Sequence, residues 1–187
     1  MKNTLKLLSR VPSALLIGLF APAVLAGVVS PDQENQVVIS ENWSAVYLGP
    51  IGQEFVPGNQ TLNMVELFVA NMDLSSPFAS DIEVNIRQGS MTGMVLGTSL
   101  QVNVLFEYSG IAHFDFPATV NLVPGNMNVI ELVVPPGGGN VAAGGGWTTS
   151  YLPGRLILAG RPIPQTDNSD LWFREGTDHH IKRKRHR

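Results

Sequence analysis

Polar and apolar residues alternate along much of the chain, most clearly in the segment from Asp81 to Arg87. Its Ile82, Val84 and Ile86 share one side of an extended chain, and polar or charged side chains occupy the other side. An antiparallel sheet with one face on the core and one face in water has this period of two. The segment is therefore predicted to be a half-buried antiparallel strand.

Further segments rich in β-branched or aromatic residues are also predicted as strands. They are residues 37–40, 44–48, 53–56, 64–70, 94–104, 112–116, 127–134, 155–158 and 170–174. Turns that contain glycine or proline separate several of them, at 56–59, 87–90, 123–126, 152–154 and 161–164. Many short strands without a convincing helix predict an all-β protein, a two-sheet antiparallel sandwich of the jelly-roll type.

One segment interrupts this pattern. Eight of the twelve residues at 135–146 are glycine or proline. Such a composition is unfavourable in a strand and typical of long loops. We expect a mobile loop here. It is not a phosphate-binding loop, because the GxxxxGK[ST] pattern does not occur.

The N-terminus has the layout of a secretory signal peptide. Three cations within the first ten residues precede the apolar run 14–20, and small residues lead to Ala26. This layout predicts that residues 1–26 are removed by cleavage before Gly27. A retained membrane anchor is the alternative, but the run is shorter than the ~20 apolar residues that a bilayer-spanning helix needs.

The rest of the chain has the length of one domain. We expect a β-sandwich at residues 27–177 and a disordered basic tail at 178–187. The predicted location is extracellular or periplasmic, and the mature chain is expected to have no transmembrane segment.

Composition narrows the possible functions. The chain has no cysteine, which removes thiol nucleophiles, redox CxxC motifs and thiolate zinc sites. All fifteen acidic residues lie between Gly27 and Ile181, where there is no lysine. Binding to nucleic acid needs a basic face, so the folded domain is not expected to bind it specifically.

The last residues have the opposite charge. Lys182, Arg183, Lys184, Arg185 and Arg187 lie within six positions of one another. They predict contact with a polyanion such as an envelope polysaccharide, lipid headgroups or extracellular DNA. A tail that only solubilises the protein or directs its processing is the alternative.

Six short motifs in order resemble a family of secreted bacterial jelly-roll modules, the carbohydrate-binding-like β-sandwiches. The motifs are Gln53-Glu-Phe-Val-Pro-Gly58, Val65-Glu-Leu-Phe-Val69, Ile82-Glu-Val-Asn-Ile-Arg87, Val95-Leu-Gly-Thr98, Phe114-Asp-Phe-Pro117 with Leu122-Val-Pro-Gly125, and Asp170-Leu-Trp-Phe-Arg174. The resemblance covers about 33–176. It implies a sandwich fold and, in many such modules, a structural calcium ion.

A sugar site would need an exposed aromatic ring, because a flat ring stacks on the apolar face of a pyranose. Trp147 and Tyr151 flank the glycine-rich segment and form the predicted platform, with Asn140 or Arg155 as partners for sugar hydroxyls. The alternative is that both aromatics cap one end of the sandwich and exclude water.

A calcium site is predicted at Asp167, Asn168 and Asp170. Side-chain oxygens are the ligands that calcium prefers, and three of them lie within four residues. The same residue types also form ordinary turns, which is the alternative.

Catalytic motifs are sparse. His113 and Asp115 share one face of a predicted strand, as a general base and its orienting carboxylate would, but a solvated polar face explains the pair as well. The chain contains neither GxSxG nor HExxH. The sequence therefore favours a secreted, non-catalytic module that binds a glycan or another extracellular surface ligand. A structural or matrix protein of the cell envelope and a small secreted hydrolase are the alternatives.

The signal peptide generates the first testable prediction. The secreted protein should begin at Gly27, because Ala26 ends the run of small residues that signal peptidases require. N-terminal sequencing and the intact mass of the secreted protein measure this. A secreted chain that still begins at Met1 and partitions with membranes would contradict it.

Overall fold

The computed structural model describes residues 28–73, 79–147 and 151–179. Fourteen strands in this part of the chain form two antiparallel sheets that pack face to face. The predicted all-β, two-sheet antiparallel sandwich is confirmed. The signal peptide at 1–26 and the cations from Lys182 to Arg187 lie outside the described residues.

The first sheet, sheet I, is built around one long strand, β4. Sheet I contains β1 (Val28–Asn35), β2 (Glu41–Ser44), β4 (Thr61–Asn71), β8 (Ser109–Asn121), β10 (Val141–Gly146), β13 (Asp170–Leu171) and β14 (Phe173–His179). Strand β8 pairs with one side of β4, and β14 and β10 share the other side. Strands β1 and β2 pair in turn with β14 and β10.

The second sheet, sheet II, has β9 and β5 at its centre. It contains β3 (Ile51–Phe55), β5 (Ser80–Gln88), β6 (Val95–Thr98), β7 (Val102–Val104), β9 (Asn128–Val133), β11 (Leu156–Leu158) and β12 (Arg161–Pro162). Strands β6 and β7 both pair with β5. Strand β7 of sheet II therefore leads along the chain into β8 of sheet I.

The core lies between the sheets and is filled by alternate residues of each strand. Phe55 of β3, Phe114 of β8 and Phe173 of β14 are fully buried in one continuous apolar cluster. The predicted alternation in β5 is confirmed, because Ile82, Val84 and Ile86 all belong to this cluster. Burying such side chains is the main favourable contribution to folding.

Two predicted strands near the N-terminal end are wrong. Residues 37–40 have no regular structure, and Ala45–Leu48 form a short α-helix, α1. The hydroxyl of Ser44 caps this helix by accepting a hydrogen bond from the backbone N–H of Tyr47. Serine is a preferred cap because its oxygen satisfies an otherwise unpaired N–H of the first turn.

The expected mobile loop at 135–146 is also wrong in its second half, because Val141–Gly146 form the buried strand β10. The glycines permit close packing. A Cβ at Gly144 would overlap the ring of Phe68, and one at Gly145 would overlap the backbone oxygen of Asp170. Glycine in a strand marks a close approach of a neighbouring chain, and here sheet I requires it.

The C-terminal strand extends two residues beyond the expected end of the domain at 177. Asp178 and His179 belong to β14 and pair with Val29 and Val28 of β1. Asp178 is buried. These two residues are therefore part of the sandwich rather than of the predicted disordered tail. No helix in the described ranges is long and apolar enough to cross a membrane.

The packing of β10 generates a prediction. Gly145→Ala should lower the free energy of unfolding by about 2 kcal/mol, because the added methyl meets the backbone of β13 and overpacked cores lose about this much. Urea denaturation measures the change. Pro136→Ala, at an exposed position in the preceding turn, is the control and should change it far less. Equal stability of the two variants would contradict the prediction.

Candidate functional site

Trp147 immediately follows β10 and is 47% exposed. Its ring contacts the buried ring of Trp43 edge to face, with centroids 6.2 Å apart. This contact holds the indole against the end of sheet I while leaving much of it in solvent. Trp147 therefore keeps the exposure that the predicted sugar platform needs.

Tyr151 does not belong to such a platform, and this part of the sequence prediction is corrected. The side chain is only 9% exposed and packs edge to face on Phe173, with centroids 5.1 Å apart. Its hydroxyl donates to Gln33 Oε1 at 2.7 Å. Burial raises the pKa of Tyr151 to about 12. Tyr151 caps the core, as the alternative interpretation of the sequence had it.

The predicted hydroxyl partners, Asn140 and Arg155, are both bound to other side chains. Asn140 precedes β10 and Trp147 follows it, so about 23 Å of extended chain separates them. Asn140 Oδ1 accepts a hydrogen bond from Ser44 at 2.6 Å. Arg155 pairs with Glu54 of β3 at 2.9 Å, and this partner raises the pKa of the guanidinium. A sugar hydroxyl would have to compete with Ser44 for Asn140 and with Glu54 for Arg155.

The three residues of the predicted calcium site differ in burial. Asp170 is buried, and its two carboxylate oxygens accept hydrogen bonds from Gln53 Nε2 at 2.9 Å and from the backbone N–H of Tyr151. Burial raises the pKa of this carboxyl group. Asp167 and Asn168 are exposed in the turn before it. A calcium ion at this turn would have to share the buried carboxylate of Asp170 with these two hydrogen bonds.

The structure has instead a groove of about 230 Å³ at the edge of the sandwich, between β7 and β8. It is lined by Val102, Asn103, Val104, Leu105, Tyr108, Ile111, Ala112 and His113. Val104 and Ala112 are core residues, so the floor is the open edge of the apolar core. We call it the β7–β8 groove.

The aromatic side chain of the β7–β8 groove has a fixed orientation. Tyr108 is 36% exposed, and its hydroxyl donates to the backbone oxygen of Ile111 at 2.7 Å. The ring also packs against Gly110, where a Cβ would lie 3.0 Å from the hydroxyl oxygen. A ring held in this way loses little conformational entropy when a ligand stacks on it.

Polar groups converge at the edges of the same groove. The exposed amide of Asn103 donates to Asp81 Oδ1 at 2.9 Å. At the other strand, His113 Nδ1 lies 3.1 Å from Glu66 Oε1 and Nε2 lies 3.2 Å from Asp115 Oδ1. Burial lowers the pKa of His113, but these two carboxylates outweigh it and raise the pKa overall.

A larger depression of about 330 Å³ lies beside α1 and β9. It is lined by Ala45, Gly49, Pro50, Glu131, Leu132, Val133 and Val134. Its lining has no aromatic ring in the described ranges of the chain, and the carboxylate of Glu131 is bound to Arg87 at 2.6 Å. The β7–β8 groove is therefore the better candidate for a ligand site.

Sequence reasoning identified His113 and Asp115 as neighbours on one strand face, but it missed the groove. Tyr108 lies in an irregular connection, and only the aromatic and apolar residues of Leu105-Phe-Glu-Tyr108 in such a segment could have signalled it. Glu66 belongs to another strand, 47 residues away in sequence, so no local pattern connects it to His113.

Comparisons with known proteins add no family. The sequence matches no protein-family model and no curated protein.

A buried carboxyl group lies on the inner side of β14. Glu175 is fully buried in sheet I. Burial, and then the charge of Asp32 on β1, raise its pKa to about 8. Asp32 itself accepts two hydrogen bonds, from the backbone N–H groups of Gly58 and Asn59, both at 2.8 Å. The buried carboxyl group of Glu175 therefore stays protonated below about pH 8.

This group generates a prediction of pH dependence. The folded protein keeps the proton of Glu175 up to about pH 8, whereas the unfolded chain loses it near 4.5. The stabilisation from this group is complete below about pH 4.5 and is lost as the pH rises to about 8. Glu175→Gln cannot ionise. The melting temperature of this variant should therefore rise relative to that of the wild type as the pH increases from about 4.5 to about 8.

Thermal unfolding of both proteins across the interval measures the difference. Glu34→Gln, at an exposed position of β1, is the matched control and should show no such gain. A melting-temperature difference that stays constant with pH for Glu175→Gln would show that Glu175 does not carry the effect.

Proposed function

We propose that the protein is a secreted, non-catalytic binding module that binds a glycan in the β7–β8 groove. The observation that carries this proposal is the convergence of a fixed, half-exposed ring, Tyr108, with the polar side chains of Asn103 and His113. This is the combination that sugars need, because their rings have apolar faces and hydroxyl edges.

The groove suits a pyranose in its distribution of polar groups. Leu105 and Ile111 are exposed beside the ring of Tyr108 and extend its apolar surface. Asn103 lies at one of the two strands that bound the groove and offers its amide to hydroxyls, whereas both ring nitrogens of His113 on the other strand face carboxylates. The resemblance to carbohydrate-binding-like sandwiches supports the same ligand class, although the residues differ from the platform expected at Trp147.

The proposal assigns no reaction to the groove. Glycoside hydrolysis uses a pair of carboxyl groups that flank the scissile bond. Among the described residues that line the β7–β8 groove there is no carboxylic acid. Asp115 is directed to His113, whose other ring nitrogen faces Glu66. This arrangement favours binding over hydrolysis.

Export and the tail complete the proposal. The predicted signal peptide directs the module out of the cell, to the extracellular space or the periplasm. The five cations between Lys182 and Arg187 would provide a second, electrostatic contact to an anionic polymer, weakened by salt.

A structural role in the cell envelope is the second candidate, favoured by one observation. The helix α1 exposes the apolar side chains of Val46 and Tyr47, which are 60% and 80% exposed. Exposed apolar surface of this kind marks association sites. A matrix protein would use α1 for association rather than the β7–β8 groove for a sugar.

The proposal predicts the result of a matched pair of tyrosine variants. Tyr108→Ala should weaken glycan binding about tenfold, because loss of one stacked ring removes about 1.4 kcal/mol. Tyr47→Ala removes an equally large but remote ring and should leave glycan affinity unchanged. A glycan array selects the ligand, and titration calorimetry with that glycan measures both affinities.

Two further measurements separate the alternatives. Loss of binding in Trp147→Ala, but not in Tyr108→Ala, would move the sugar site to the end of β10 and contradict the groove. Self-association that Tyr47→Ala abolishes, in a protein that binds no glycan on the array, would favour the matrix role instead.

A further inference from the structure

Three side chains with metal-binding atoms converge on the outer face of sheet I. The alternation of β8 places His113 and Asp115 on this face, and Asp178 of β14 reaches them across β4. His113 Nε2 lies 3.2 Å from Asp115 Oδ1 and 3.7 Å from Asp178 Oδ2. The three ligand atoms all lie within 4.8 Å of one another.

These separations fit one small cation. Tetrahedral zinc sites have Zn–N distances of about 2.0–2.1 Å and Zn–O distances of about 2.0–2.2 Å, which place neighbouring ligand atoms about 3.4 Å apart. The two distances from His113 Nε2 lie on either side of this value. Relative to His113 Nε2, the two carboxylate oxygens would need to move only a few tenths of an ångström.

The second ring nitrogen of His113 is already oriented. Nδ1 lies 3.1 Å from Glu66 Oε1, and Glu66 is held in turn by Arg174, whose Nε donates to Oε2 at 2.7 Å. A carboxylate that accepts the Nδ1 proton fixes the ring and leaves Nε2 for a metal. Such a carboxylate–histidine pair is the usual outer support of a histidine-bound metal.

Asp178 is positioned independently of the cluster. Its backbone N–H donates to Asn63 Oδ1 at 2.7 Å, and Asn63 Nδ2 donates to its backbone oxygen at 3.0 Å. Asn63 lies in a bulge of β4 between Leu62 and Met64. Bulges redirect side chains in a sheet, and this one ties β14 to β4 beside Met64, the residue that pairs with Asp115.

We propose that His113 Nε2 and one carboxylate oxygen each from Asp115 and Asp178 bind a zinc ion. The imidazole nitrogen favours zinc over calcium, which takes oxygen ligands. In the described part of the chain, the carboxylates of Glu66, Asp115 and Asp178 converge on His113, and a divalent ion would offset part of their negative charge.

His113 is 31% exposed at its side chain, so the ion has access from solvent and keeps a coordination position there. The zinc site is distinct from the predicted calcium turn. It does not rest on the proposed glycan function, and its test uses no sugar.

Titration calorimetry with zinc chloride on the full secreted chain tests the proposal. The chain has three other histidines, His179, His180 and His186, which could bind zinc adventitiously. A variant with all three replaced by asparagine should still bind one zinc ion. His113→Asn should lose this ion while its circular dichroism and melting temperature show a folded protein.

Two graded variants test the geometry. Glu66→Gln should weaken zinc binding about 10–100-fold, as loss of an outer-shell carboxylate does. Asp81→Asn removes an exposed carboxylate outside the cluster and should leave zinc affinity unchanged. Zinc binding that is unchanged in folded His113→Asn, or that disappears from the triple histidine variant, would overturn the proposal.

A spectroscopic measurement on the triple histidine variant, which keeps His113, covers the case in which His113→Asn fails to fold. Cobalt(II) replaces zinc in such sites and has intense visible absorption only in tetrahedral coordination. We expect an intense cobalt spectrum that zinc abolishes and excess calcium leaves intact. A weak, octahedral spectrum for cobalt bound to the triple histidine variant would overturn the proposed site.

Discussion

The hydrogen bonds of one buried side chain join the two sheets. Gln53 of β3 donates to Asp170 Oδ1 and accepts the backbone N–H of Leu171, each at 2.9 Å. Asp170 also accepts the backbone N–H of Tyr151. Removing Gln53 would leave buried polar groups of sheet I without partners, which costs more than a hydrogen bond contributes. This set of bonds aligns the sheets and fixes the end of the sandwich that Tyr151 closes.

Once the sheets are aligned, their register determines the outer face. Arg174, Glu66 and His113 lie directly opposite one another on β14, β4 and β8. Neighbouring strands interact through such cross-strand rows. The row explains why a carboxylate lies between a guanidinium and an imidazole, and why the His113 ring has a defined orientation at the end of the β7–β8 groove.

The small residues of β10 serve the same alignment. Trp43 and the backbone of β13 both approach Gly145 too closely for a Cβ. Because β10 lacks side chains at its glycines, β13 can pack close to it, and Asp170 of β13 reaches Gln53. Sheet I also buries the carboxyl group of Glu175, which is stable there as the neutral acid because desolvation disfavours its charge.

Local sequence determined the all-β class, the alternation of β5 and most of the strands between residues 51 and 133, because side-chain period and turn residues are local properties. It misassigned β10, because glycine indicates a loop when only propensity is considered and the close approach of Asp170 is a long-range contact. Long-range contacts also explain why the candidate site residues were misplaced or missed. Tyr151 is buried by Phe173, and Arg174 meets Glu66 across 108 residues of sequence. Only the strand order and register of the folded sandwich bring such residues together.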